Sequence, residues 1–127
     1  MKETEGLFRQ EGYDLMAAAF EVHEQNGGGL SEEVYQECPE IELGLRSIPF
    51  RSKQEIAIFY KGRELKRRYI PDLYAFEGIV VELKAVAAIL PEHVAQLLNY
   101  MRLTKMRVGY LINFGPIRGV EYKRHVI

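Results

Sequence analysis

The chain has 127 residues and a formal net charge of -1, with 47% hydrophobic and 28% charged residues, the balance of a soluble globular protein. No stretch approaches the roughly 20 apolar residues that cross a bilayer, and the acidic start "MKETEGLFRQEGYDL" lacks the apolar segment of a secretory signal. The single cysteine, Cys38, excludes an intramolecular disulfide and a multi-cysteine zinc site, so the expectation is one cytoplasmic domain over residues 1–127.

The elements follow in chain order. Residues 7–25 have helical periodicity, with Leu7, Leu15, Met16, Ala19, Phe20 and Val22 as the apolar positions. "NGGG" (26–29) ends that helix, since glycine tolerates the positive φ of a helix stop. A second helix is predicted from Ser31 to about Arg46, with Glu32 and Glu33 complementing its dipole and Pro39 kinking it. "EIAIFY" (55–60) reads as a strand, Lys61-Gly62 as a turn, and Glu64 to Ala75 as one further strand. After the turn "FEG" comes a strand at 79–86, then a helix at 90–105 with Pro91 in its first turn, a buried strand at 107–115 and a last strand at 119–127. The order α-α-β-β-β-α-β-β predicts an α/β fold, a mixed sheet with helices on its faces.

Charge is distributed unevenly. Residues 1–60 carry 5 Lys/Arg against 12 Asp/Glu, and residues 61–127 carry 12 against 6. The densest basic run, "KGRELKRRY" (61–69), holds Lys61, Arg63, Lys66, Arg67 and Arg68. Such a run can attract a polyanion, although a plain solvated face is its commoner meaning.

The strand "IVVELKAV" raises a sharper question, because it carries Glu82 and Lys84 on one face of an otherwise apolar run. A three-residue loop, Phe76-Glu77-Gly78, with Gly78 in the left-handed conformation, would pair Ala75 with Ile79 and Asp72 with Glu82. Opposed residues have Cβ atoms roughly 5 Å apart. Two carboxylates held so close repel each other unless a cation lies between them, and a hard divalent ion takes such carboxylates together with water and phosphate oxygens. Spacing alone leaves two readings open, a metal site or a buried ion-pair cluster without chemistry.

Pro71-Asp72 followed by Glu82-Leu83-Lys84 resembles the PD-(D/E)XK signature of a large nuclease superfamily. "GLSEEVY" (29–35) is similar to the G-x-x-E-x-x-Y pattern, Gly29, Glu32 and Tyr35, of the GxxExxY family within it. The likeness continues through "HVAQLLNYMRLT" and "VGYLINFG" and covers most of the chain.

The resemblance implies a restriction-endonuclease-like core that binds Mg²⁺ or Mn²⁺ and hydrolyses phosphodiesters, with DNA as the expected partner. It implies Asp72 and Glu82 as metal carboxylates helped by the Leu83 carbonyl, with Glu32 as a further ligand, directly or through water. Lys84 would orient the attacking water, and Gln96 would hold water or phosphate. Tyr35 and Tyr100 are read as supporting residues, Asn113 as structural, and His93 as a helix-surface packing residue. Of Lys66, Arg67 and Arg68, strand alternation predicts that only one of the two arginines faces nucleic acid. A small nuclease often needs a second copy to grip a duplex, so a homodimer is one expected assembly. The competing expectation is a non-catalytic module that keeps the fold for nucleic-acid or protein binding.

Overall fold

The computed structural model describes residues 6–127; the first five residues of the acidic N-terminal stretch lie outside it. Helix α1 (Arg9–Asn26) stops at Gly27, whose N–H donates to the His23 carbonyl at 2.7 Å and whose φ is 73°. Four residues of chain then lead through Gly29, where φ is 87° and an L side chain is disfavoured, to α2 (Glu32–Leu45). That helix continues past Pro39, which is buried. Pro39 has no N–H to give the Tyr35 carbonyl, and the helical assignment is nonetheless unbroken on either side of it.

The strands are β1 (Phe50–Ser52), β2 (Ile56–Tyr60), β3 (Arg63–Tyr69), β4 (Leu73–Ala75), β5 (Ile79–Lys84), β6 (Val108–Asn113) and β7 (Glu121–Val126), with α3 (Pro91–Thr104) between β5 and β6. The architecture is the expected mixed sheet flanked by helices, with two refinements. The single strand expected from Glu64 to Ala75 is divided at Ile70-Pro71-Asp72, because Pro71 cannot donate to a ladder. Strand β1, only three residues long, carries too little alternation to be seen in sequence.

Five strands form a sheet in the order β1-β4-β5-β6-β7. The pairs are antiparallel except β5–β6, which is parallel and joined by the α3 crossover. Strands β2 and β3 form a separate two-stranded ribbon.

Alternation along β5 divides the core. Ile79, Val81 and Leu83 pack with α1 and α2 residues such as Leu15, Val22, Tyr35 and Leu43. Val80, on the other face, packs with Leu97 and Met101 of α3 and with Ile58 and Tyr69 of the ribbon. Each such fully buried aliphatic side chain contributes roughly 1.5–3 kcal/mol, so a one-residue slip, which would turn Glu82 and Lys84 into the wholly apolar face of Ile79, Val81 and Leu83, is strongly disfavoured. Glu82 and Lys84 therefore point to the side of α3 and the ribbon.

The hairpin between β4 and β5 has the expected pairing: Ala75 opposite Ile79, Tyr74 opposite Val80 and Leu73 opposite Val81. Its turn chemistry differs from expectation. The left-handed residues are Phe76 and Glu77, both with φ 55°, not Gly78. Glycine is needed at position 78 for space instead, since a Cβ there would drive into the Phe8 ring.

Candidate active site

Asp72 stands at the break between β3 and β4, one residue before the Leu73–Val81 pair. The next step of that register puts it opposite Glu82. Its Oδ2 accepts from the Leu83 N–H at 2.8 Å, and its Oδ1 lies 2.7 Å from the Lys53 ammonium. Its carbonyl accepts from the Lys53 N–H at 3.3 Å and from Gln36 Nε2 at 3.0 Å. Gln36 also donates to Glu40 at 2.7 Å, and Ser52 donates to the same Glu40 oxygen at 2.6 Å. This network ties α2 and β1 to the aspartate backbone.

Glu82 is held from the other side. Tyr69, the buried last residue of β3 (4% exposed), donates its hydroxyl to Glu82 Oε1. The Tyr69 ring stacks on Tyr100 of α3, with centroids 4.1 Å apart and planes within 5°. Burial pushes the Glu82 carboxyl up to about 8, and the negative charge of Asp72 adds to the rise; the Tyr69 hydrogen bond and the Lys84 charge act against it. Burial, then the Glu82 charge, also raises the Tyr69 hydroxyl above its ordinary value. Lys53 is raised chiefly by its hydrogen bond to Asp72, with the charges of Asp72, Glu82 and Glu32 adding to it against its partial burial.

Two cavities meet this constellation. One of about 190 Å³ is lined by Tyr69, Glu82, Lys84, His93, Gln96 and Tyr100 among others. The other, of about 560 Å³, is lined by Glu32, Gln36, Glu37, Lys53, Asp72 and Leu83 among others. The expected residues are thus brought together in two groups, which the electrostatic coupling of Asp72 and Glu82 joins. Glu32 is exposed on the first turn of α2 and shares the larger cavity with Asp72. Among the described residues, no three acidic, His or Cys side chains lie close enough to hold a metal ion together.

Tyr35 makes no hydrogen bond to the acids among the described residues. Its hydroxyl donates to the Gly27 carbonyl at 2.6 Å and accepts from the Leu30 N–H at 3.3 Å, and its ring stacks on Phe114 at 4.7 Å. It therefore fixes the glycine loop from which Glu32 emerges. Asn113 is fully buried and bridges Val86, Gly115 and Glu121, a structural role as read from sequence.

Lys66, Arg67 and Arg68 are exposed on β3 and line neither cavity. Arg68 is paired with Glu64 at 2.6 Å, whereas Arg67, on the strand face of Tyr69, has no ion pair among the described residues. Sequence reasoning missed Lys53 and Tyr69. Tyr69 could have been found, since it ends the basic strand three residues before Asp72. Lys53 follows a strand too short to read.

A search of curated proteins finds no match to the chain. A solved structure, that of SSO0001, is 18% identical with a TM-score of 0.47; the alignment covers 94% of this chain but only 60% of that one. No helix among the described residues is long and apolar enough to cross a membrane. The family model for the PD-(D/E)XK nuclease superfamily matches residues 9–125, a span that takes in Pro71-Asp72, Glu82-Leu83-Lys84 and the helix bearing Gln96. The chain belongs to the PD-(D/E)XK nuclease superfamily.

Proposed function

We propose that residues 1–127 form one domain of a divalent-metal-dependent nuclease of the GxxExxY type, acting on DNA. The observation that carries this reading is the pair of carboxyl groups: Asp72 lies close enough to raise the Glu82 carboxyl, with Leu83 hydrogen-bonded to Asp72 and Lys84 beside Glu82. The donor set fits Mg²⁺ or Mn²⁺, since both are hard cations that take carboxylate and carbonyl oxygens. Asp72, Glu82 and the Leu83 carbonyl would hold the ion, with Glu32 reaching it through water. Bound there, the ion would lower the pKa of a water and neutralise charge on the scissile phosphate.

The remaining roles belong to the chain itself. Lys84, on the face of Glu82, orients the attacking water and offsets phosphate charge, and Gln96 holds water or phosphate across the small cavity. Gly29, Glu32 and Tyr35 support the GxxExxY assignment, because the tyrosine anchors the loop that presents the glutamate.

A supercoiled-plasmid nicking assay with and without Mg²⁺ or Mn²⁺ tests the reading. Lys84→Met keeps the aliphatic stem and removes the ammonium, so cleavage should fall by roughly 10²–10⁴-fold, the usual loss when a proton-transfer group goes. Metal-linked stabilisation should persist in that variant. Parental cleavage by the methionine variant would leave Lys84 a structural role only.

A second reading is favoured by one specific observation: Lys53 and Tyr69 already satisfy Asp72 and Glu82 without a metal ion. A non-catalytic nucleic-acid-binding module would show that arrangement and would bind DNA without nicking it.

A further inference from the structure

The Leu90 N–H donates to His93 Nδ1 at 3.0 Å, in the turn that opens α3. The His93 N–H in turn donates to the Leu90 carbonyl at 3.0 Å, so the ring and its backbone are held by the same residue. A ring nitrogen that accepts an N–H carries no proton of its own. The neutral imidazole must therefore keep its hydrogen on Nε2. This tautomer is set by the main chain.

His93 lines the cavity of about 190 Å³ together with Lys84 and Gln96. His93 and Gln96 are three apart on one face of α3, while Lys84 arrives from the end of β5. Among the described residues, no protein group takes up His93 Nε2, and neither Lys84 nor Gln96 has a side-chain hydrogen bond or ion pair. The one acid in the cavity wall, Glu82, is capped by the Tyr69 hydroxyl. The cavity thus presents an ammonium, an amide N–H₂ and a fixed imidazole N–H, three donors that need an acceptor. Its volume is below the 300–1,000 Å³ of ordinary small-molecule sites and suits a phosphate with its ester oxygens.

We propose that His93 is a phosphate-binding residue, its Nε2–H fixed as a donor by Leu90 and shared with Lys84 and Gln96 around one phosphoryl group. The assignment of that phosphoryl group to a nucleic-acid backbone rests on the nuclease reading above. Lysine could supply charge here without direction. A histidine locked by the main chain supplies direction, so it fixes where the phosphate sits relative to Asp72 and Glu82.

Two substitutions separate the two ring nitrogens. In His93→Asn the amide oxygen stands where Nδ1 stands, so the Leu90 contact survives and the pocket donor is lost. In His93→Gln an amide N–H reaches the position of Nε2. Imidazole nitrogen NMR on the full chain at pH 8 should show the His93 proton on Nε2, and titration with inorganic phosphate should shift that signal. Phosphate affinity should fall about tenfold in His93→Asn, the scale of one hydrogen bond to a charged group, with the melting temperature kept. In His93→Gln it should stay within about twofold of the parent on the same scale. A proton on Nδ1, or parental phosphate affinity in His93→Asn, overturns the proposal. If phosphate binds as described and the parent shows no metal-dependent nicking, the subsite stands and the nuclease reading falls.

Discussion

Replacing Glu82 by glutamine tests the carboxyl pair through stability alone, without any assumption about substrate. The Glu82 carboxyl rises from 4.5 to about 8 on folding, chiefly by burial and then by the Asp72 charge. At about 1.4 kcal/mol per pKa unit, that rise corresponds to something on the order of 5 kcal/mol set against folding once the group must ionise. The sign follows from proton counting. Between pH 4.5 and about 8 the folded protein keeps a proton on Glu82 that the unfolded chain has released. Stability contributed by the neutral carboxyl is therefore complete below the lower value and is lost as pH climbs through the upper one.

Glutamine retains an oxygen to accept from Tyr69 and cannot ionise. Urea unfolding of parent and variant across pH 5–9 isolates the effect, since titrating groups that do not interact with Glu82 cancel in the difference. The two proteins should be about equally stable near pH 5, and the variant should lead by a few kcal/mol near pH 9. At fixed high pH, Mg²⁺ should restore the parent by RT ln(1 + [Mg²⁺]/Kd) and leave the variant nearly unchanged. Parallel stability curves for the two proteins would show that Glu82 is not held neutral by burial and by Asp72, and the shared-cation argument would fail with it.

Lys53→Met removes the ammonium that sits 2.7 Å from Asp72; the metal-free protein should lose at most about 1 kcal/mol, because the lysine is largely exposed, while its melting-temperature gain on adding Mn²⁺ should exceed the parent's. An unchanged metal response would show that Lys53 does not compete for Asp72. Arg67→Ala should weaken duplex DNA binding about equally across sequences and lower the salt slope by about one, whereas Arg68→Ala, whose guanidinium is already engaged by Glu64, should change the slope much less. Equal slopes for the parent and both variants in a binding titration over a salt series would mean that nucleic acid approaches elsewhere.

The candidate site was legible because strands alternate and because loop length sets register. The three residues Phe76-Glu77-Gly78 were enough to pair Ala75 with Ile79 and so bring Asp72 to Glu82. The reason for Gly78 was not legible, since a steric demand made by Phe8, seventy positions away in sequence, leaves no local pattern. The split of the long strand followed from Pro71, which sequence showed plainly, but that β3 leaves the main sheet altogether depends on Ile58 and Tyr69 packing on α3. Phe20 illustrates the opposite error: helical periodicity places it with the apolar stripe, yet it is 47% exposed beside Tyr122. Lys53 was invisible because its contact with Asp72 is made by a three-residue edge strand and a turn, where neither period is established.

The two carboxylates are satisfied from two different directions, and those directions differ in kind. Lys53 reaches Asp72 by side chain and main chain from the end of β1, and Gln36 of α2 holds the same backbone. Tyr69 reaches Glu82 from the end of β3, the strand that carries Lys66, Arg67 and Arg68. A cation replacing Lys53 exchanges one positive charge for another on an acid that is already compensated. A cation reaching Glu82 must instead take the proton's place on a buried group and turn the Tyr69 hydroxyl away. Tyr69 remains stacked on Tyr100 and packed with Leu97 whichever way its hydroxyl points, so the ribbon stays anchored while the polar contact changes. The glutamate is therefore where burial opposes ionisation, and the polar edge of the basic ribbon meets the site at that residue.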